Sequence, residues 1–132
     1  LDRLLQKFDT AKTLVPKPEV ELVDDARIGL IAWGSTHWAI VESRDQLSNE
    51  QRLKTSYLRL RAYPFTPEVW DFVDRCDRVY VVEQNRDNQM LSLLKIECTA
   101  ARFAKLRSIR HYTGLPIDGR SVTVELLKQE CG

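Results

Sequence analysis

The sequence predicts an α/β sandwich built around a mostly parallel sheet, and three observations carry that reading. Ile28–Trp33 and Val79–Val82 are short, almost wholly apolar runs, as expected of strands covered on both faces. Each is followed by a segment whose apolar residues recur at helical spacing. Strands alternating with helices build a parallel sheet, because right-handed crossovers lay helices on both of its faces. At 132 residues, 43% apolar and 30% charged, the chain fits one domain. A chain of this size needs neither disulfides nor a structural metal to fold.

The elements follow in order. Leu4, Leu5, Phe8 and Leu14 stand among charged residues at the spacing of a short amphipathic helix. Pro16 and Pro18 stop it, and the charged run from Lys17 to Glu21 reads as a linker. Residues 1–24 are thus a leading helix with a Pro-containing linker, and 25–132 the α/β domain, with the boundary near Asp24 or Asp25. The helix's apolar stripe predicts that it rests on this domain or on one upstream, and the start at Leu1 predicts a piece of a longer chain.

Ile28–Trp33 forms the first buried strand, Gly34-Ser35-Thr36 breaks it, and Ser35 or Thr36 caps a helix reaching about Leu47. Trp38, Ile40, Val41 and Leu47 supply its apolar contacts. From Ser56 to Arg61 the pattern alternates, with Tyr57, Arg59 and Arg61 opposite Leu58 and Leu60, which predicts a half-buried strand. Thr66-Pro67-Glu68 signals a helix start: an N-cap, a proline at the first position and an acid near the positive end. Val69, Phe72, Val73 and Cys76 then share one face up to about Arg75, so Cys76 reads as a core residue rather than a reactive thiol.

Val79–Val82 is the second buried strand, followed by a polar turn from Glu83 to Asn88. Met90, Leu91, Leu93, Leu94 and Cys98 mark another amphipathic helix. Leu106 to Tyr112 predicts a fourth, more exposed strand, ended by Gly114 and Pro116. Ser121, with Glu125 four positions on, opens a last helix through Val124, Leu127 and Lys128.

Composition excludes several classes of function. Twenty Lys and Arg against nineteen Asp and Glu leave a net charge of +1, so there is no global field for nucleic acid or an anionic membrane. No apolar run approaches the roughly 20 residues of a membrane span, and the first residues lack the core of a signal peptide. Cys76, Cys98 and Cys131 are scattered, without a CxxC pair, and only His37 and His111 could join them. The expectation is a cytoplasmic chain without zinc or an iron–sulfur cluster of its own.

In an open α/β sheet ligands favour the carboxyl ends of the strands, and two polar turns stand there. Gly34, Ser35, Thr36 and His37 offer backbone N–H groups and two hydroxyls at a helix start, where a phosphate or carboxylate would be stabilised. A plain turn with an N-cap has the same signature, since one glycine without GxGxxG or a Walker lysine is a weak motif. Glu83 ends a strongly apolar strand and must be solvated, paired or hydrogen-bonded, while Asn85 and Gln89 can cap the next helix or bind a ligand. No nucleophile accompanies His37, and no catalytic constellation emerges. Arg102, Lys105, Arg107 and Arg110, with His111, concentrate positive charge, and Arg59 and Arg61 could join them across the sheet. They read as a solvated face or as a docking surface for an acidic or phosphorylated partner.

The order Ile28-Gly-Leu-Ile-Ala-Trp-Gly-Ser-Thr36, Tyr63-Pro-Phe65, Val79-Tyr-Val-Val-Glu-Gln-Asn85 with Gln89, and Tyr112-Thr-Gly-Leu-Pro-Ile117 resembles a known family. It is similar to the C-terminal region of the alpha subunit of 2-oxoacid:ferredoxin oxidoreductases, most like the 2-oxoglutarate type, from about Val15 onward. The resemblance implies a fold like the C-terminal domain of transketolase: three layers and a five-stranded mixed sheet with one antiparallel strand. The fifth strand then falls around Val20 to Leu22 or in the closing segment. It also implies a parent enzyme that oxidatively decarboxylates a 2-oxoacid to an acyl-CoA and passes electrons to ferredoxin. Such an enzyme uses thiamine diphosphate with Mg, an iron–sulfur cluster and CoA, none held by this domain, with the thiamine site between another alpha-subunit domain and the beta subunit. One position departs from the pattern: Asn88 precedes Gln89 where the family has Gly, and Asn tolerates the left-handed backbone better than most residues.

The preferred function is therefore a non-catalytic domain serving subunit assembly and the rim of the active-site cleft. Two alternatives stand beside it. One is an independent module holding an anion or CoA at Ser35 and Thr36; the other is a dimerisation domain using Trp38, Trp70 and the leading helix.

Overall fold

The computed structural model of the chain describes residues 16–85 and 87–131. Five strands, β1 (Glu19–Glu21), β2 (Ile28–Trp33), β3 (Thr55–Leu60), β4 (Arg78–Glu83) and β5 (Leu106–Arg110), form one sheet in the order β1-β3-β2-β4-β5. β2 to β5 run parallel, and β1 pairs antiparallel with β3, Glu19 facing Arg59. The helices are α1 (His37–Gln51), α2 (Pro67–Arg75), α3 (Gln89–Glu97), α4 (Ala100–Phe103) and α5 (Gly119–Cys131).

The pleat of the sheet divides the core in two. On one face Ile31, Leu58, Val79 and Val81 pack against Val69, Phe72 and Val73 of α2 and Leu91 and Leu94 of α3. On the other, Leu30, Tyr57, Tyr80 and Val82 pack against Ile40 and Leu47 of α1 and Val122 and Leu126 of α5. This is the three-layer sandwich with a mixed, mostly parallel sheet that the sequence implies. Each large apolar side chain taken fully from water contributes roughly 1.5–3 kcal/mol, which is why β2 and β4 need covering on both faces. At Gly29 the sheet and α2 approach so closely that a Cβ would lie 2.7 Å from Cys76 Sγ and 2.8 Å from the Phe72 ring. Cys76 is buried there as predicted, and burial pushes its thiol up to about 11.

Several boundaries differ from the sequence reading. Residues 19–21, within the run read as linker and overlapping Val20 to Leu22, one of the two places for a fifth strand, form β1, so the sheet begins ahead of Asp24. The stretch read as a leading helix lies outside the described residues. β3 is buried along nearly its whole length because helices cover both faces of the sheet, and Tyr57, in one core cluster with Ile40 and Leu47 of α1, is core rather than solvent-facing. α1 runs past Leu47 to Gln51, and Trp38 (73% exposed) and Val41 face outward instead of supplying core contacts. α5 begins at Gly119: Asp118 accepts from the Ser121 N–H at 2.8 Å, so the cap is Asp118 and not Ser121, and Val124 points outward. α4 has no counterpart in the sequence reading; Thr99 caps it, its hydroxyl accepting from the Arg102 N–H. β5 stops at Arg110.

Candidate functional site

The chain passes from β2 to the neighbouring β3, then crosses back to β4 on the other side of β2. The carboxyl ends of β2 and β4 therefore border a topological switch point, where open α/β sheets leave a crevice. Trp33, Gly34, Ser35, Thr36, Gln84, Asn85 and Gln89 line such a crevice, of about 400 Å³. Five of the seven residues singled out at the two turns meet here.

The first turn is a short 3-10 helix, Gly34–Thr36, entered through Gly34 at φ +63°. It leads directly into α1, whose start carries no side-chain cap; Thr36, expected to cap, is helical itself. Its hydroxyl instead accepts from Gln84 Nε2 at 3.0 Å, and Ser35 Oγ accepts from the same amide at 3.3 Å. Gln84 thus ties the two turns together. Gln84 is not among the residues the sequence singles out, although its place one residue beyond the buried Glu83 puts it above the sheet edge.

Glu83 does not reach the crevice. It is 1% exposed and turned toward α3, where Oε1 accepts from the Met90 N–H at 2.6 Å and Oε2 from the Leu91 N–H at 3.2 Å. Asn85 Nδ2 donates to Glu83 Oε1 at 3.1 Å, and Asn85 Oδ1 accepts from the Gln89 N–H at 3.2 Å. The first three N–H groups of α3 are consumed by these two side chains, with the carboxylate at the positive end of the helix. Asn88 enters α3 at φ +51°, the left-handed position its residue type allows.

His37 also stands apart. Its Nδ1 lies 3.1 Å from Tyr57 Oη, and Trp38 packs edge-on at 5.0 Å. Burial pushes the Tyr57 hydroxyl up to about 12, so it stays protonated. No nucleophile approaches the imidazole among the described residues, and none of their His, Cys, Asp and Glu side chains assemble in threes about a metal position. Hydroxyls, carboxamides and one committed carboxylate do not fit Mg or an iron–sulfur cluster.

In its overall fold the chain is similar to the 2-oxoglutarate:ferredoxin oxidoreductase from Magnetococcus marinus, solved with 2-oxoglutarate, coenzyme A and succinyl-CoA bound. The TM-score is 0.76 at 22% identity, over 92% of this chain and 21% of that one. The likeness establishes a shared fold. The chain spans about a fifth of the length of that protein. No protein-family model matches the chain, and no curated protein does.

The cationic residues are dispersed. Arg102 forms a two-pronged pair with Asp74, at 2.9 and 2.8 Å, beside the Trp70 ring, and holds the Asp74 carboxyl below its usual range. Lys105 donates to the carbonyls of Val73 and Asp74 at the end of α2. Arg107 donates to the carbonyls of Ala104 and Leu106, and Arg110 lies 5.8 Å from the Tyr112 ring. Arg59 and Arg61 belong to the β3 side, separated from β5 by β2 and β4, and do not join them. No helix among the described residues is long and apolar enough to cross a membrane.

Proposed function

We propose that this chain is a non-catalytic domain of a 2-oxoacid:ferredoxin oxidoreductase, the C-terminal domain of its alpha subunit, with 2-oxoglutarate as the substrate class. Its role is to hold subunits together and to shape the rim of the active-site cleft in a cytoplasmic enzyme. The observation that carries the reading is the fold: nearly the whole chain superposes on about a fifth of an oxidoreductase chain of that type. The order of motifs at the carboxyl edge supports it, and so does the use made of Glu83, the one buried carboxylate there, as a helix cap. On this reading thiamine diphosphate, Mg, the iron–sulfur cluster and CoA sit on the remainder of the alpha subunit, on the beta subunit or between them. Ferredoxin is reached through the assembly.

Two measurements test it. The purified chain, given 2-oxoglutarate, CoA and a low-potential electron acceptor, is expected to show no turnover; sustained succinyl-CoA formation overturns the non-catalytic role. The reading frame upstream of Leu1 and its neighbour are expected to encode a thiamine-binding domain and a thiamine-diphosphate-binding beta subunit. An unrelated gene context removes the parent enzyme.

A further inference from the structure

Trp33 ends β2, whose other five residues are buried, and is nevertheless 51% exposed. It borders three adjoining cavities: the polar crevice of about 400 Å³, an apolar slot of about 250 Å³ and a third hollow of about 370 Å³ against β3. Gln89 is shared by crevice and slot, and Leu60 and Arg61 by slot and hollow. Trp33 is thus common to all three, which adjoin as one trough. The slot is floored by Leu60, Ala62, Met90 and Leu93 and flanked by the exposed ring of Tyr63.

Two charged residues line the slot, and they differ in kind. The Glu83 carboxylate already receives three hydrogen bonds. Arg61 is exposed and has no ion-pair partner among the described residues, whereas Arg59, two positions earlier, faces Glu19 at 3.9 Å. An aromatic wall beside an unspent guanidinium suits a flat ring that carries a negative group. Small-molecule sites begin near roughly 300 Å³, so the slot holds a ring alone and needs the adjoining space for the rest of a ligand.

We propose that the Trp33 trough binds a planar aromatic ring bearing a phosphate or carboxylate, the ring against Trp33 in the slot and the anion on Arg61. The proposal stands on the trough and does not depend on the oxidoreductase reading. Calorimetric titration of the chain with adenosine 5′-monophosphate and with benzoate, beside adenosine and inorganic phosphate alone, distinguishes the two anion sources and separates ring from charge. At least one of the two ring-bearing anions is expected to saturate, at least tenfold tighter than adenosine or inorganic phosphate. Trp33→Ala and Arg61→Gln are each expected to weaken it tenfold or more. Ala62→Trp, which fills the slot without removing a binding group, is expected to do the same with the far-ultraviolet circular dichroism of the parent chain. Failure of both ring-bearing anions to saturate overturns the proposal, as does equal binding of inorganic phosphate or affinity unchanged in folded Trp33→Ala and Ala62→Trp.

Discussion

The two turns at the carboxyl edge solve the same problem in opposite ways. Both carry the chain from a buried parallel strand into a helix, and both pass through a left-handed residue, Gly34 in one and Asn88 in the other. At α3 the free N–H groups are taken up by the protein's own acid and amide, Glu83 and Asn85. At α1 the entry is a 3-10 turn without a side-chain cap, braced from the side by Gln84 and facing the crevice. The lesson is that an anion-friendly helix start at a switch point is not by itself a ligand site. One of these two is closed by a residue that, in sequence, looked as available as the other.

The largest effect is expected where the start is closed. Glu83→Ala strips the acceptor from two buried N–H groups and from Asn85. Hydrogen bonds to charged groups are worth about 1.5–3 kcal/mol each way, so a loss of about 3 kcal/mol in urea unfolding is expected. A loss below about 1 kcal/mol would show that water caps α3 as readily as α1, and the contrast would collapse. Gly34→Ala comes next: a Cβ there meets nothing within 4 Å, so only the φ of +63° resists it. The left-handed conformation costs a non-glycine residue roughly 1–2 kcal/mol, and the same denaturation curve reads it. A steeper loss would reveal that the first turn is packed after all.

Gln84→Ala removes a brace made of two neutral hydrogen bonds at the open end, and about 1 kcal/mol or less is expected. Exchange of the Ser35 and Thr36 amides should accelerate at least as much as global opening does. Unchanged exchange would mean that the two turns are not coupled. The last effect appears only in alkaline solution. Tyr57, beneath the start of α1, has its hydroxyl raised by burial from 10.0 to about 12. The unfolded chain therefore loses that proton first, so the stability it contributes is complete below pH 10 and is lost as the pH rises through 12. Tyrosinate absorbance in the folded state should lag that of the unfolded chain; coincident titrations would contradict the burial.

Much of the fold was legible because the core strands are written in apolar runs that have no other use. Ile28–Trp33 and Pro67–Arg75 emerge with their predicted bounds, the second because Thr66-Pro67-Glu68 states its start in residue chemistry. β1 was harder to read: all three of its residues are exposed, and only the charge complement between Glu19 and Arg59 marks the pairing. Tyr57 is core where the alternation marks it as outward, because alternation reports polarity, while burial depends on the helices that come to cover that face, α1 and α5. At the site, the two turns were located correctly, since a strand end followed by polar residues is a local signal. That Glu83 serves α3 while Gln84 serves the crevice depends on the direction of two consecutive side chains, which only the sheet geometry supplies.

The outer margin of the sheet has a consequence for solubility. β1 is only three residues long, and its two glutamates are engaged, Glu19 with Arg59 and Glu21 with Arg44. A margin so brief and so densely ionic offers an incoming strand little main chain to dock on and makes it strip charge from water first. This margin of the sheet is thereby guarded against pairing with an incoming strand, and replacing both glutamates by valine is the change that would remove the guard.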